Sequence, residues 1–154
     1  MLRSDLQDAL KDAMRAKDSS GVATIRLILA ALKDRDIAAR TKGQPEGISD
    51  DEILQMLQSM IKQRRESIQM YEQGGRLELA ERESAEIVWI QKFLPKQMSD
   101  DEAAAAVDAA IADLEAAGLK DMGRVMAELR ERHAGQMDFG KVSGIVKQKL
   151  QATG

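Results

Sequence analysis

Ser49-Asp50-Asp51-Glu52 returns unchanged as Ser99-Asp100-Asp101-Glu102, and no other feature constrains this fold as tightly. In each copy the serine oxygen is placed to accept from the amide three residues on. The glutamate can reach back to the serine amide, so two otherwise free amides at the helix start each gain a side-chain acceptor. The acidic run also complements the positive end of the helix dipole. Apolar residues at helical spacing follow both: Ile53, Met56, Leu57, Met60, Ile61, Ile68 and Tyr71 after the first, Val107, Ile111 and Leu114 after the second. Each tetrapeptide is local helix-start chemistry rather than a repeat of architecture.

The rest of the chain reads the same way. Ser4 is a candidate cap for a first helix with Leu2, Leu6, Leu10 and Met14 inward. Asp18-Ser19-Ser20-Gly21 breaks that pattern and offers caps for a second, with Val22, Ile25, Ile28, Leu29 and Leu32 on its apolar face. Residues 41–47 hold two glycines and Pro45 and read as a loop. Gly74-Gly75 ends the third helix, and a fourth runs from about Arg76 to Phe93. Its end, Ile87-Val88-Trp89-Ile90, is apolar nearly all round, as in a helix buried on more than one side. Pro95 stops it, and Gly118 is the expected stop of the fifth. No alternating run of useful length suggests a strand. The fold class is all-α. A four-helix domain over 1–94 and a three-helix bundle over 99–152 meet at a seam from Pro95 to Met98. A bundle that small buries little surface alone, and is expected to lean on the apolar end of helix four.

Composition narrows the chemistry. The chain has no cysteine, which excludes thiolate catalysis, disulfides and cysteine-based zinc sites. Aromatics are 3% of 154 residues, so the apolar volume comes from Leu, Ile, Ala and nine Met, a set that favours helices. There is no signal-like start and no run of about 20 apolar residues, so the expected location is cytoplasmic, with no membrane partner. Net charge is −3, unevenly spread. Residues 99–118 carry six acids and no base, whereas 119–154 carry seven bases and four acids. The C-terminal end is thus the basic pole of an acidic protein, a modest pointer to nucleic acid.

That pole contains a second duplication. Asp121-Met122-Gly123-Arg124-Val125 is echoed by Asp138-Phe139-Gly140-Lys141-Val142, each an acidic cap, an apolar residue, a glycine, a base and a valine. Met122, Val125, Met126 and Leu129 then share one helical face, and Phe139, Val142, Ile145, Val146 and Leu150 another, with Gly135 between as a stop. The run from Asp121 to Met126, with Gly135, Asp138, Val142, Ile145 and Leu150, resembles the C-terminal part of the GatB/YqeY family. Chain length and the N-terminal half are similar to a free-standing YqeY-like member. In GatB, a subunit of tRNA-dependent amidotransferase, the matching tail helps hold the tRNA while other domains do the chemistry. The resemblance therefore implies a non-catalytic module that binds tRNA or a tRNA-handling complex.

The candidate nucleic-acid-binding residues are Lys120, Arg124, Lys141, Lys147 and Lys149, beside backbone amides at two helix starts. Close helix crossing is the competing role for Gly123 and Gly140, and is favoured from the residues alone. A secondary basic cluster comprises Arg26, Lys62, Arg64 and Arg65; local pairs such as Lys62 with Glu66 are its ordinary explanation. No catalytic residue, cofactor or metal is assigned. His133 reads as a structural residue near a helix C-terminus, where the dipole favours a cation. Ser19 and Ser20, with Lys17 close by, read as turn and cap residues. Asp50, Asp51, Asp100 and Asp101 lack calcium-loop spacing. The alternatives are a carbon–nitrogen ligase with glutamine as amido donor, as the family's name invites, and a protein–protein adaptor using the Trp89 region. The ligase reading lacks a glycine-rich phosphate loop and room for an amidase.

Overall fold

The capping boxes form as the sequence dictates. In a computed structural model that describes residues 1–153, Ser49 Oγ accepts from the Glu52 amide at 3.2 Å and Glu52 accepts from the Ser49 amide at 3.3 Å. Ser99 and Glu102 repeat this at 3.1 Å in both directions. These boxes start α3 (Asp50–Gln73) and α5 (Asp100–Asp113). The others are α1 (Leu2–Arg15), α2 (Ser19–Thr41), α4 (Leu77–Gln91), α6 (Met122–Arg132) and α7 (Phe139–Thr153), with a short 3-10 turn at Leu119–Asp121. There is no strand among the described residues. The fold is all-α, four helices followed by three.

The helices gather into two compact units, one from Met1 to Pro95 and one beginning at Lys96. In the first, Leu6 of α1, Ile28 and Leu32 of α2, Ile53, Met56 and Leu57 of α3, and Ile87 and Ile90 of α4 form one core. Each fully buried side chain of this size contributes about 1.5–3 kcal/mol. Trp89 of α4 packs its indole against α2 at Gly21, where a Cβ would come within 2.5 Å of Trp89 Cζ2. Lys92 covers the ring, its Nζ 3.7 Å from the centroid. The loop after α2 is pinned at its end. Asp36 accepts from the Ile48 amide at 2.9 Å and from Arg3 of α1, and Arg3 also reaches the Ile48 carbonyl. Burial would raise the Asp36 pKa, but the Ile48 amide and the Arg3 guanidinium outweigh it and hold the carboxyl below its ordinary range.

The second unit buries Val107 and Ala110 of α5, Val125, Met126 and Leu129 of α6, Met137, and Val142, Val146 and Leu150 of α7. Asp100 pairs with Lys141 at 3.0 Å and Asp108 with Lys149 at 2.6 Å. Both numbers rise together, so α5 and α7 run parallel.

Several expectations change. Ser4 does not cap α1; its hydroxyl donates to the Met1 carbonyl from inside the first turn. Met14 is 51% exposed, and Ala13 takes the inward place. Val88 is likewise exposed, so the end of α4 is not covered all round. Helix α5 stops before Gly118. Glu115 takes the left-handed conformation (φ 51°), and the Ala116 amide closes the helix end on the Ile111 carbonyl. Gln97 and Met98 are not a free seam: the Met98 amide donates to the Gln136 carbonyl and Gln97 Nε2 to the Gly135 carbonyl, which ties both to the second unit.

Candidate nucleic-acid interface

The two glycine–base helix starts have different chemistry despite their shared sequence. At α7, Asp138 caps as expected, accepting from the Gly140 amide at 3.0 Å and the Lys141 amide at 3.3 Å. At α6, Asp121 makes no cap bond to its own helix. Its carboxylate turns back across the preceding turn, accepting from the Ala117 amide at 2.8 Å and from Arg124 Nη2 at 3.1 Å. The Ala117 amide first, then Arg124, hold its pKa below the ordinary range against desolvation. Arg124 also donates to the Leu114 carbonyl at 3.1 Å, a carbonyl left free at the end of α5. Asp121 closes the 3-10 turn with φ −93° and ψ 0°, not the extended backbone usual for a capping residue.

The glycines are not packing residues. A Cβ at Gly123 would meet nothing within 4 Å, and the same holds at Gly144. At Gly140 only the Asp138 carboxylate lies close, at 3.3 Å. No neighbouring helix crosses these positions, which overturns the expectation of close helix contact. Their helical backbone is simply open to solvent.

The five candidate bases separate accordingly. Arg124 is held by Asp121 and Leu114. Lys141 and Lys149 are held by α5 carboxylates, so the acidic helix neutralises part of the basic pole rather than standing apart from it. Lys120 and Lys147 are exposed. Exposed pairs such as Lys141 with Asp100 contribute about 0–1 kcal/mol, little enough for a phosphate to displace the carboxylate.

The secondary cluster is not one patch. Arg64 is turned inward against α4, with Glu86 at 2.7 Å and Glu83 at 3.9 Å, and only 14% of its side chain is exposed. Burial, then the Glu86 charge, raise the Glu83 pKa, with Arg64 opposing. Lys62 and Arg65 stand exposed on α3, while Arg26 of α2 lines an open hollow with Lys17. The Arg64 pairing escaped the sequence reading because its partners lie 19 and 22 positions away. His133 closes α6, its Nδ1 3.2 Å from Gln136 Oε1. Asp18 caps α2 by accepting from the Gly21 amide at 2.9 Å, as its turn chemistry implies.

Comparison with known proteins settles the relationship. A family profile described as Yqey-like protein matches residues 3–150. The chain belongs to the YqeY-like family. Among relatives, altered inheritance of mitochondria protein 41 of Eremothecium gossypii is 32% identical over 127 residues, covering 80% of this chain and 67% of that protein. Its counterpart in Clavispora lusitaniae is 36% identical, over 60% of this chain and 51% of its own length. An uncharacterised protein of Schizosaccharomyces pombe is 26% identical over 64% of this chain and 76% of its own. The first two carry the word mitochondrial in their names. In this YqeY-like chain no helix of the described residues is long and apolar enough to cross a membrane.

Proposed function

We propose that this YqeY-like protein is a non-catalytic accessory module that binds tRNA through the starts of α6 and α7. One observation carries the reading: Gly123, Gly140 and Gly144 are helical, exposed and interleaved with bases, and a Cβ at Gly123 or Gly144 would meet nothing within 4 Å. Each glycine inside a helix costs about 0.8–1.0 kcal/mol relative to alanine. The protein's own packing makes no use of that cost, whereas a phosphate backbone lying against the bare helix surface could approach more closely there. Structured RNA is read largely through shape, phosphates and 2′-hydroxyls, which suits a small unit with a few exposed bases. Lys120 and Lys147 supply the charge, joined by Lys141 once a phosphate displaces Asp100, with Arg124 and Lys149 behind their own carboxylates. The resemblance to the GatB tail supports the choice of tRNA. A cytoplasmic place of action belongs to the same reading.

The test is tRNA binding by fluorescence anisotropy across a salt series. Lys141→Glu with Lys147→Glu is expected to weaken binding about tenfold or more and to flatten the salt slope as phosphate contacts disappear. Gly123→Ala with Gly144→Ala is expected to raise the melting temperature while weakening binding. Unchanged affinity at every salt concentration in both variants rejects the interface.

A further inference from the structure

Helix α2 is apolar on two sides, and only one is used. Gly21, Thr24, Ile25, Ile28, Leu32 and Ala39 face the core. On the opposite side Ala23, Leu27, Ala30 and Ile37 are exposed, Leu27 at 47% and Ile37 at 52%. Their spacing follows the alternation of four and three of a helix-pairing seam, with the exposed acid Asp34 at the seam position between Ala30 and Ile37. From Ala23 to Ile37 the seam is about 21 Å long.

Charge lies along one edge of it. Arg26, Lys33 and Arg40 recur every seven residues and are all exposed. Arg40 Nε donates to the Pro45 carbonyl at 3.3 Å; Arg26 and Lys33 have no partner among the described residues. At its start the seam meets a shallow, open hollow of about 450 Å³ lined by Met14, Lys17, Ser19, Val22, Ala23 and Arg26. Its Met14, Val22 and Ala23 walls suit a large apolar side chain, and Lys17 and Arg26 suit a carboxylate beside it.

We infer that this face docks an acidic amphipathic helix of a partner protein, with its apolar stripe on the seam, one apolar anchor in the hollow and its carboxylates on the basic edge. This surface belongs to the first unit, the proposed tRNA interface to the second. The charges argue against a second copy of α2. Laid antiparallel, it would set the three bases against their own copies; laid parallel, it would offer them a single acid, Asp34. The apolar centre argues against a phosphate backbone, which needs bases rather than Leu27 and Ile37.

The test uses the isotope-labelled full chain and a synthetic peptide of about six turns, with leucines at the seam positions and glutamates along one flank. Amide signals from Ala23 to Ile37 are expected to shift on titration. Affinity should fall about tenfold or more in Arg26→Glu with Lys33→Glu, and likewise in Leu27→Ser with Ile37→Ser. All four side chains are exposed, so both variants should melt with the parent. The peptide with lysines in place of glutamates should bind about tenfold more weakly. Absence of α2 shifts, or equal binding of the lysine peptide, overturns the inference. So does a dimer of the chain alone that Ile37→Ser dissolves, or an RNA hairpin that shifts the α2 amides where the peptide does not.

Discussion

Gly21 shows how far a single residue's role can lie from its sequence neighbourhood. Within Asp18-Ser19-Ser20-Gly21 it reads as part of a turn, and the Asp18 cap bears out that local chemistry. Its further constraint comes from Trp89, on a different helix, whose ring leaves no space for a Cβ. Gly21→Ala should therefore destabilise the first unit by about 1–3 kcal/mol, since the indole must move off α2. The chain has one tryptophan, so fluorescence-monitored melting reports on this contact directly. A variant that melts with the parent, with unchanged emission, would show that the ring has room to yield. The open glycines pose the reverse case. Gly123 and Gly140 suggested close packing because glycine most often serves that purpose, but what surrounds them is tertiary information that no local pattern holds. Lys17 and Glu115 make the same point for turns. Both take left-handed backbone at helix ends where glycine is the usual signal, so the end of α5 was read at Gly118.

At the level of elements, the capping boxes and the apolar periodicity made most of the helices legible, because both are encoded within a few turns. Ile53, Met56, Leu57, Met60 and Ile61 were all identified from spacing, and all are buried. What spacing does not reveal is which charges cross between helices. Arg64 looked like part of a solvated basic face with Lys62 and Arg65, yet it is the cation that joins α3 to Glu83 and Glu86 of α4. One cation serves two carboxylates there, and the consequence is a pH dependence of definite sign. Burial and Glu86 raise the Glu83 pKa above 4.5. The folded state then holds this proton more tightly than the unfolded state. Its contribution favours folding fully below the unfolded pKa and is lost as pH rises through the folded one. Glu83→Gln should accordingly raise the melting temperature at neutral pH by about 1–3 °C, and the gain should vanish below about pH 4, where the parent carboxyl is protonated. Melting curves from pH 3 to 8 check this. A gain independent of pH would assign the effect to packing instead.

For the whole molecule, the consequence of two compact units is that damage to one should be readable separately from the other. Val142 is 2% exposed in the core of the second unit, and Trp89 sits in the first. Val142→Asp places an unpaired carboxylate in the apolar core of the second unit, a burial that costs several kcal/mol unless the helices separate. A unit of this size is marginal to begin with, so the expected result is unfolding of α5 to α7 at room temperature. Far-UV circular dichroism should lose the helix signal of those three elements. The Trp89 melting transition should keep its midpoint, and a midpoint that falls with the dichroism signal would make the chain one cooperative body. The same variant locates the RNA surface. If tRNA binds through Lys120, Lys141 and Lys147, binding is lost in Val142→Asp while the Trp89 transition stands. If binding survives, the contact belongs to the first unit. The exposed bases Lys62 and Arg65 of α3 then become its carriers, and the open glycines of α6 and α7 need another explanation.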